Sequence, residues 1–148
     1  GVRLTRHYMR GMLNRKWGRV IFISSESALS LPAEMLHYGV TKTAQLGLTR
    51  GLAELTVGTA VTVNAVLPGP TRTEGNMEWM KGLAKQKGIS VEEAERDFFA
   101  NDRPSSLIRR FAEPFEVAAV VAFLASPRGA LTNGAAMRAE GGIIHSIG

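Results

Sequence analysis

Two short runs of branched apolar residues constrain the fold of this chain most strongly. Residues 20–23 read Val-Ile-Phe-Ile, and residues 61–67 read Val-Thr-Val-Asn-Ala-Val-Leu. Runs of this length and composition are typical of parallel strands that are buried on both faces. A third, shorter strand is predicted at residues 135–139. Because helical patterns separate the three runs, the sequence predicts an α/β fold built on a parallel sheet.

Amphipathic periodicity fills most of the chain around these strands. The spacing of apolar residues predicts helices over residues 2–16, 34–56 and 113–125, and Gly18 is expected to end the first of them. The chain shows neither an internal repeat nor a linker. We therefore predict that residues 1–148 form a single domain.

Residues 74–110 differ in character from the rest of the chain. They are charged, and Ser90 is followed three positions later by Glu93 in a capping box, which predicts a flap of two short helices. The apolar residues of this segment include Met77, Trp79, Met80, Phe98 and Phe99. They can contact a substrate as a lid or form a small core of the segment itself, and the sequence leaves both interpretations open.

Composition excludes several classes of protein and of site. Hydrophobic residues make up 45% of the 148 residues, yet no apolar run is long enough to cross a bilayer, so we expect no membrane partner. The absence of cysteine fits a reducing cytoplasm. His7 and His145 have no partners at ligand spacing, so no metal site is predicted.

The net charge of +5 raises the question of nucleic-acid binding. Arg3, Arg6 and Arg10 lie on one face of a predicted helix whose other positions are largely apolar. No zinc-finger spacing accompanies them. We therefore interpret this basic stretch as a solvated helix face and expect no nucleic-acid partner.

Tyr38 and Lys42 are the first candidates for chemistry. They lie four positions apart in the predicted helix 34–56, so they share one face about one turn apart. An ordinary tyrosine has a pKa of roughly 10, and a neighbouring ammonium favours its phenolate. The pair therefore predicts a phenol that donates or accepts a proton. A packing tyrosine beside a solvated lysine is the alternative that the spacing alone leaves open.

Two other segments are expected at the same place in the fold. Ser25 follows the first predicted strand, and Pro68-Gly69 follows the second. In a parallel sheet the carboxyl ends of the strands share one edge, and ligands bind there. A hydroxyl, a phenol and an ammonium are thus expected to converge on one crevice. This set suits polarising a carbonyl or alcohol oxygen and moving one proton.

Three spaced motifs together resemble the short-chain dehydrogenase/reductase family, and its 3-oxoacyl reductases in particular. They are Gly-Arg-Val-Ile-Phe-Ile-Ser-Ser at residues 18–25, Tyr-Gly-Val-Thr-Lys at 38–42 and Val-Asn-Ala-Val-Leu-Pro-Gly at 63–69. Thr73 and the Gly-Gly pair at 141–142 also match the family pattern. The resemblance covers nearly the whole chain.

This resemblance implies catalytic roles. Tyr38 would be the general acid/base, and Lys42 would lower its pKa and hydrogen-bond the nicotinamide ribose. Ser25 would orient and polarise the substrate oxygen. The implied activity is that of an oxidoreductase that interconverts a small alcohol and a carbonyl by hydride transfer.

The resemblance also implies a cofactor site. The backbone from Pro68 through Gly69 to Thr71, with the hydroxyl of Thr73, would hold the nicotinamide and its phosphates. Tyr38 and Lys42 would contact the same cofactor. The implied cofactor is NAD or NADP, which supplies the hydride chemistry itself.

The sequence departs from the family pattern in ways that affect these expectations. It has no glycine-rich phosphate loop before a helix and no residue that would select between NAD and NADP. Glu140 stands where the family usually has aspartate. We therefore expect the C-terminal half of a Rossmann-like doubly wound sheet, a single partial domain over residues 1–148, with residues 74–110 as a substrate-lid insert.

Two functions follow from these expectations. In the first, the chain is the catalytic part of an NAD(P)-dependent oxidoreductase and needs a nucleotide-binding half. In the second, it is a catalytically inactive truncated fragment that acts only as a folded oligomerisation module. By resemblance, residues 2–16 and 34–56 would pack against a second copy, and the strand edge at 20–23 would need cover, so a homodimer or homotetramer is expected.

Overall fold

The computed structural model describes residues 1–147 and contains one parallel sheet. Its strands are β1 (Trp17–Ile23), β2 (Ala60–Pro68) and β3 (Ala136–Ala139), in the spatial order β1-β2-β3. Both neighbouring pairs of strands run parallel. The predicted α/β architecture with about three parallel strands is confirmed.

Within the described residues, five α-helices accompany the sheet. They are α1 (Val2–Asn14), α2 (Leu36–Glu54), α3 (Glu74–Lys87), α4 (Val91–Asn101) and α5 (Pro114–Ala125). Each predicted helix occurs within a few residues of its expected bounds. None of the helices in residues 1–147 combines the length and the apolar character needed to cross a membrane.

The prediction that Gly18 ends the first helix is wrong. Helix α1 ends at Asn14, and Lys16 takes the left-handed backbone conformation with φ at 56°. Gly18 instead lies inside β1, where a Cβ atom would come within 2.5 Å of Cγ of Met12. The glycine therefore allows α1 to pack closely against the strand, which is a tertiary contact that helix periodicity does not reveal.

One hydrophobic core lies between the sheet and helices α1 and α2. Strand β2 contributes its alternate residues Val63, Ala65 and Leu67, all fully buried, and Phe22 of β1 and Met9 of α1 pack with them. Alternation places the three β2 side chains on one face of the sheet. Helix α5 contacts all three strands but contributes no residue to this core, so it covers the other face.

Helices α3 and α4 share a separate aromatic core. Its buried members are Met80, Ala84, Ala94, Phe98, Phe99 and Phe111. The rings of Phe98 and Phe111 stack with centroids 5.5 Å apart, and Phe99 meets Phe111 edge to face at 5.3 Å. Most of the apolar residues of the flap segment thus serve as its own core, although Trp79 stays half-exposed.

Arg72 links this segment to the rest of the molecule. Its guanidinium pairs with Glu95 of α4 and with Glu113 at the start of α5, each at 3.0 Å. Burial alone would lower the pKa of Arg72, but hydrogen bonds to Glu95 and Glu113 and their charges outweigh it and raise the pKa. The arginine therefore stays charged and holds α4 and α5 to the chain segment that follows β2.

Candidate active site

The loops that follow β1 and β2 open on one edge of the sheet. Ser24, directly after β1, donates its backbone N–H to the carbonyl of Val66 at 2.8 Å. Gly69, directly after β2, donates its backbone N–H to the carbonyl of Ala139 at 3.1 Å. These bonds extend the ladder just beyond the strands. Both loops therefore start at the carboxyl edge, where ligands bind in parallel α/β sheets.

Ser25 is held in one orientation at the end of β1. It precedes the short 3-10 turn Glu26–Ala28, and its hydroxyl oxygen accepts the Ser27 N–H at 3.1 Å as an N-cap. The hydroxyl itself donates to Oε2 of Glu26 at 2.5 Å. Ser25 is buried. The predicted serine is thus where the sequence places it, with both of its hydrogen bonds made inside its own loop.

Glu26 is a site residue whose surroundings the sequence pattern does not reveal. Glu26 and Glu34 bracket the serine loop, but Glu34 is exposed whereas Glu26 is buried, at 6% exposed. Oε1 of Glu26 lies 3.7 Å from Nε of Arg103, which follows α4. This cation comes from a distant part of the chain. The only local signal was an acid placed directly after a serine that follows a buried strand.

Tyr38 and Lys42 lie one turn apart on α2, as the sequence predicts. The Nζ atom of Lys42 is 5.4 Å from the centroid of the Tyr38 ring, which is within cation–π range. The same ammonium donates to the carbonyl of Ile23, the last residue of β1, at 3.0 Å. Tyr38 is half-buried, and its hydroxyl has no hydrogen-bond partner within residues 1–147. This phenol is therefore free to bind a ligand.

Two hydrogen bonds dock the start of α2 against the serine loop. The hydroxyl of Thr43 donates to the carbonyl of Ala28 at 2.8 Å, and the hydroxyl of Ser24 donates to the carbonyl of Lys42 at 3.0 Å. They bring the serine loop and the tyrosine helix together at one edge of the sheet. No hydrogen bond joins the serine hydroxyl to the tyrosine hydroxyl in the described part of the chain.

The segment after β2 turns sharply and leads into α3. Pro68 is the last residue of β2. A Cβ atom at Gly69 would lie 2.8 Å from the carbonyl oxygen of Glu140, so this close approach of two backbones requires glycine. The hydroxyl of Thr71 donates to the Gly69 carbonyl at 2.9 Å. Thr73 is the N-cap of α3, and its hydroxyl oxygen accepts a backbone N–H of the first turn at 3.3 Å.

Glu140 fixes the turn that follows β3. Its carboxylate is buried and accepts a hydrogen bond from Nε of Arg138 at 2.8 Å. It also accepts the backbone N–H groups of Ile143 and Ile144. The glutamate therefore supplies local contacts of its own at the position where the family usually has aspartate, and the Gly-Gly turn lies between its partners.

A polar cavity opens beside the serine loop. Its lining residues come from three places: Glu26, the segment 30–34 before α2, and the segment 102–105 after α4, with Ile143 adding an apolar patch. Tyr38 and Lys42 are not among the described residues that line it. The cavity thus adjoins the candidate serine through Glu26 and gives a small molecule a place to bind.

The donor groups at this edge fit the nicotinamide end of a dinucleotide. Tyr38 offers a phenol that has no hydrogen-bond partner among the described residues, and Lys42 offers an ammonium. Thr73 caps a helix whose first N–H groups suit a phosphate. These are the groups that would hold such a cofactor. Among residues 1–147, no three His, Asp or Glu side chains are placed to hold a metal ion.

Comparison with known proteins identifies the family. The sequence profile of the family described as Enoyl-(Acyl carrier protein) reductase matches residues 1–144. The uncharacterized oxidoreductase YvaG of Bacillus subtilis is 50% identical over 147 residues, which cover 99% of this chain and 56% of that protein. D-beta-hydroxybutyrate dehydrogenase of Cupriavidus necator is 33% identical over 138 residues, covering 93% and 52%. The chain spans about half the length of these curated relatives.

A solved structure shares the whole described fold. L-sorbose reductase of Gluconobacter frateurii, in complex with NADPH and L-sorbose, superposes with a TM-score of 0.90 at 29% sequence identity. The match covers 99% of this chain and 54% of the reductase. A family profile that spans residues 1–144, together with this shared fold, shows that the chain belongs to the short-chain dehydrogenase/reductase family.

Proposed function

We propose that this chain is the substrate- and nicotinamide-binding part of an NAD(P)-dependent oxidoreductase that interconverts an alcohol and a carbonyl. The observation that supports the proposal most directly concerns the surroundings of the Tyr38 side chain. Its hydroxyl has no partner within residues 1–147, and the Lys42 ammonium lies 5.4 Å from its ring. Family membership supports the same class of chemistry.

The proposed proton transfer uses Tyr38. In the reducing direction its hydroxyl donates a proton to the substrate carbonyl oxygen, and in the oxidising direction its phenolate accepts the alcohol proton. Lys42 places a positive charge beside the ring, which stabilises negative charge on the phenolic oxygen. Ser25 lies beside the substrate and orients it. The nicotinamide, when bound, supplies or accepts the hydride.

The proposed cofactor is NAD or NADP. The segment from Pro68 to Thr71 would lie along the nicotinamide, and Thr73 at the start of α3 would hold the adjacent phosphate. L-sorbose reductase, whose fold matches this chain with a TM-score of 0.90, was solved with NADPH. That similarity supports a nicotinamide cofactor and a small hydroxylated or carbonyl substrate.

Helices α3 and α4 are proposed to form the lid over the substrate. The cavity beside the serine loop is closed on one side by residues 102–105, directly after α4. The ion pair between Arg103 and Glu26 connects that segment to the serine loop. Movement of the two helices would therefore open or close the cavity.

A second candidate function is that of an inactive oligomerisation module. An apolar groove between α1 and α2 favours it, with Val2, Met9, Leu13, Leu48, Leu52 and Leu55 among its lining residues. No strand among residues 1–147 covers the outer edge of β1, and Trp17 and Ile23 are about half-exposed. We propose that a second copy covers this groove in a homodimer or homotetramer, which is compatible with either function.

Replacement of Tyr38 by phenylalanine tests the proposed reaction. The whole protein is assayed for ketone reduction with NADPH and with NADH. Because Tyr38→Phe removes only the hydroxyl, we expect turnover to fall at least about a hundredfold with an unchanged circular dichroism spectrum. Tyr8→Phe, on the exposed face of α1, is the matched control and should keep wild-type turnover. Near-normal turnover of Tyr38→Phe contradicts the proposal, and a wild type that associates but never turns over supports the second candidate.

A further inference from the structure

The proposed reaction leaves Glu26 without a role, although this side chain lies directly behind Ser25. Its Oε2 atom accepts the Ser25 hydroxyl at 2.5 Å, and its Oε1 atom faces Arg103 at 3.7 Å. Burial of a carboxylate is costly unless the charge is paired and hydrogen-bonded, and Glu26 satisfies both conditions. The chain thus keeps a buried acid in contact with the hydroxyl that would face the substrate.

The contacts of Ser25 decide what it can offer a substrate. A serine hydroxyl has one proton to donate and two positions that accept. In this structure the proton goes to Glu26, and one accepting position takes the Ser27 N–H at 3.1 Å. An accepting position remains. A hydroxyl or ammonium group satisfies it, whereas a carboxylate has only acceptor oxygens and does not.

The charges around the neighbouring cavity favour the same selection. Of the described residues that line it, Glu26, Glu34 and Asp102 are acidic, and Arg103 is the only lysine or arginine. Arg103 forms an ion pair with Glu26, and its guanidinium also lies over the ring of Phe98, 5.6 Å from the ring centroid. One cation does not neutralise three carboxylates. The local field therefore disfavours an anionic ligand.

We infer that Glu26, held by Arg103, is a positioning residue that sets substrate choice through Ser25. It makes the site select neutral or cationic carbonyl compounds that carry a hydroxyl or ammonium group, and it disfavours carboxylates. This inference rests on the proposed oxidoreductase function, because it concerns which substrates reach Tyr38.

Two pairs of ketones that differ in charge test the inference in the whole protein. Hydroxyacetone is compared with pyruvate, and ethyl acetoacetate with acetoacetate, each with NADPH and with NADH. The measured quantity is kcat/KM for the neutral ketone divided by kcat/KM for the anionic one. Because this ratio is taken within one variant, it does not depend on how much of that variant folds.

The variants are expected to move this ratio in opposite directions. Wild type should favour the neutral ketones, and Glu26→Gln should reduce the ratio by about tenfold, the size expected for one unit charge acting across a small cavity. Arg103→Gln should raise the ratio, since the Glu26 charge then lacks its cation. The exposed Glu92→Gln on α4 is the control and should keep the wild-type ratio.

Different results would overturn the inference and the proposed function. A wild-type preference for pyruvate and acetoacetate, or an unchanged ratio in both Glu26→Gln and Arg103→Gln, overturns the inference and leaves the proposed function standing. Failure of the wild type to reduce any of the four ketones, or to oxidise the corresponding alcohols, overturns the proposed function and with it the inference.

Discussion

The helical insert and the sheet complete their packing in different ways. In the insert, Met80 of α3 and Phe98 and Phe99 of α4 form a core. Phe111, from the short segment that precedes α5, completes it. Every ring in this core contacts another ring of the same core. The insert therefore buries its aromatic core with its own residues and with Phe111, which directly follows it.

The sheet side of the molecule leaves apolar surface uncovered. Within residues 1–147, strand β1 pairs with β2 on one side and with no strand on the other, and Trp17 and Ile23 along it are about half-exposed. The groove between α1 and α2 is lined mainly by leucines and methionine. Exposed strand edges and apolar patches of this kind recruit further polypeptide. The comparison indicates that the insert completes its core almost entirely with its own residues, whereas the sheet and its two helices leave apolar surface that we propose a second copy covers.

The largest expected effect is on the insert. Phe99→Ala removes a ring that is 2% exposed, so the free energy of unfolding should fall by about 3–5 kcal/mol. Hydrogen exchange should show lost protection in α3 and α4 and retained protection in β2. Phe115→Ala, on the exposed side of α5, is the control and should change stability by less than about 0.5 kcal/mol. Equal loss of protection in β2 would contradict the claim that the insert packs separately from the sheet.

A smaller effect is expected at the groove. Leu55 is exposed and lines the groove between α1 and α2, so Leu55→Glu adds a charge there without disturbing the core. If the groove is an interface, the dissociation constant of the assembly should rise at least about tenfold. This corresponds to a loss of about 1.4 kcal/mol of association free energy. Sedimentation velocity measures it. Leu131→Glu, fully exposed and outside the groove, should leave association unchanged. A wild type that is a stable monomer at micromolar concentration would contradict the proposed interface.

The smallest effect concerns the junction of the insert with α5. Hydrogen bonds from Arg110 and from the Glu113 N–H lower the pKa of Glu116 to about 2. Because the folded pKa lies below the ordinary value of 4.5, this contact stabilises the fold above about pH 4.5 and is lost as the pH falls toward 2. Arg110→Gln should flatten the dependence of stability on pH in that window. Chemical denaturation at several pH values measures it, and an unchanged slope would count against the contact.

Local patterns in the sequence predict much of this structure. Branched apolar runs predict β1 and β2, and the capping box of Ser90 and Glu93 predicts the start of α4, where both of its hydrogen bonds form. The spacing of Tyr38 and Lys42 requires only helix geometry, so their proximity also follows from the sequence. These features depend on neighbours a few residues apart, which is why the sequence is sufficient.

Features that depend on distant contacts are not visible in the pattern. The buried carboxylate of Glu26 is paired with Arg103, which follows α4 and is distant in sequence. Position 18 of β1 favours glycine because the side chain of Met12 occupies the space that a Cβ atom would fill. In both cases the residue that explains the environment, Arg103 or Met12, comes into contact only after the chain folds. The sequence therefore predicts the serine, tyrosine and lysine of the candidate site but not the acid behind the serine.

Direct hydride transfer at this edge of the sheet can be tested with labelled cofactor. The whole protein is given a ketone with NADPH or NADH that carries deuterium at either position of C4, and the alcohol product is examined by mass spectrometry. We expect deuterium on the carbinol carbon from one of the two C4 positions, and we expect Tyr38→Phe to form the same labelled product orders of magnitude more slowly. An alcohol without deuterium from both labelled forms, or equal rates in wild type and Tyr38→Phe, would contradict hydride transfer with Tyr38 as the acid/base.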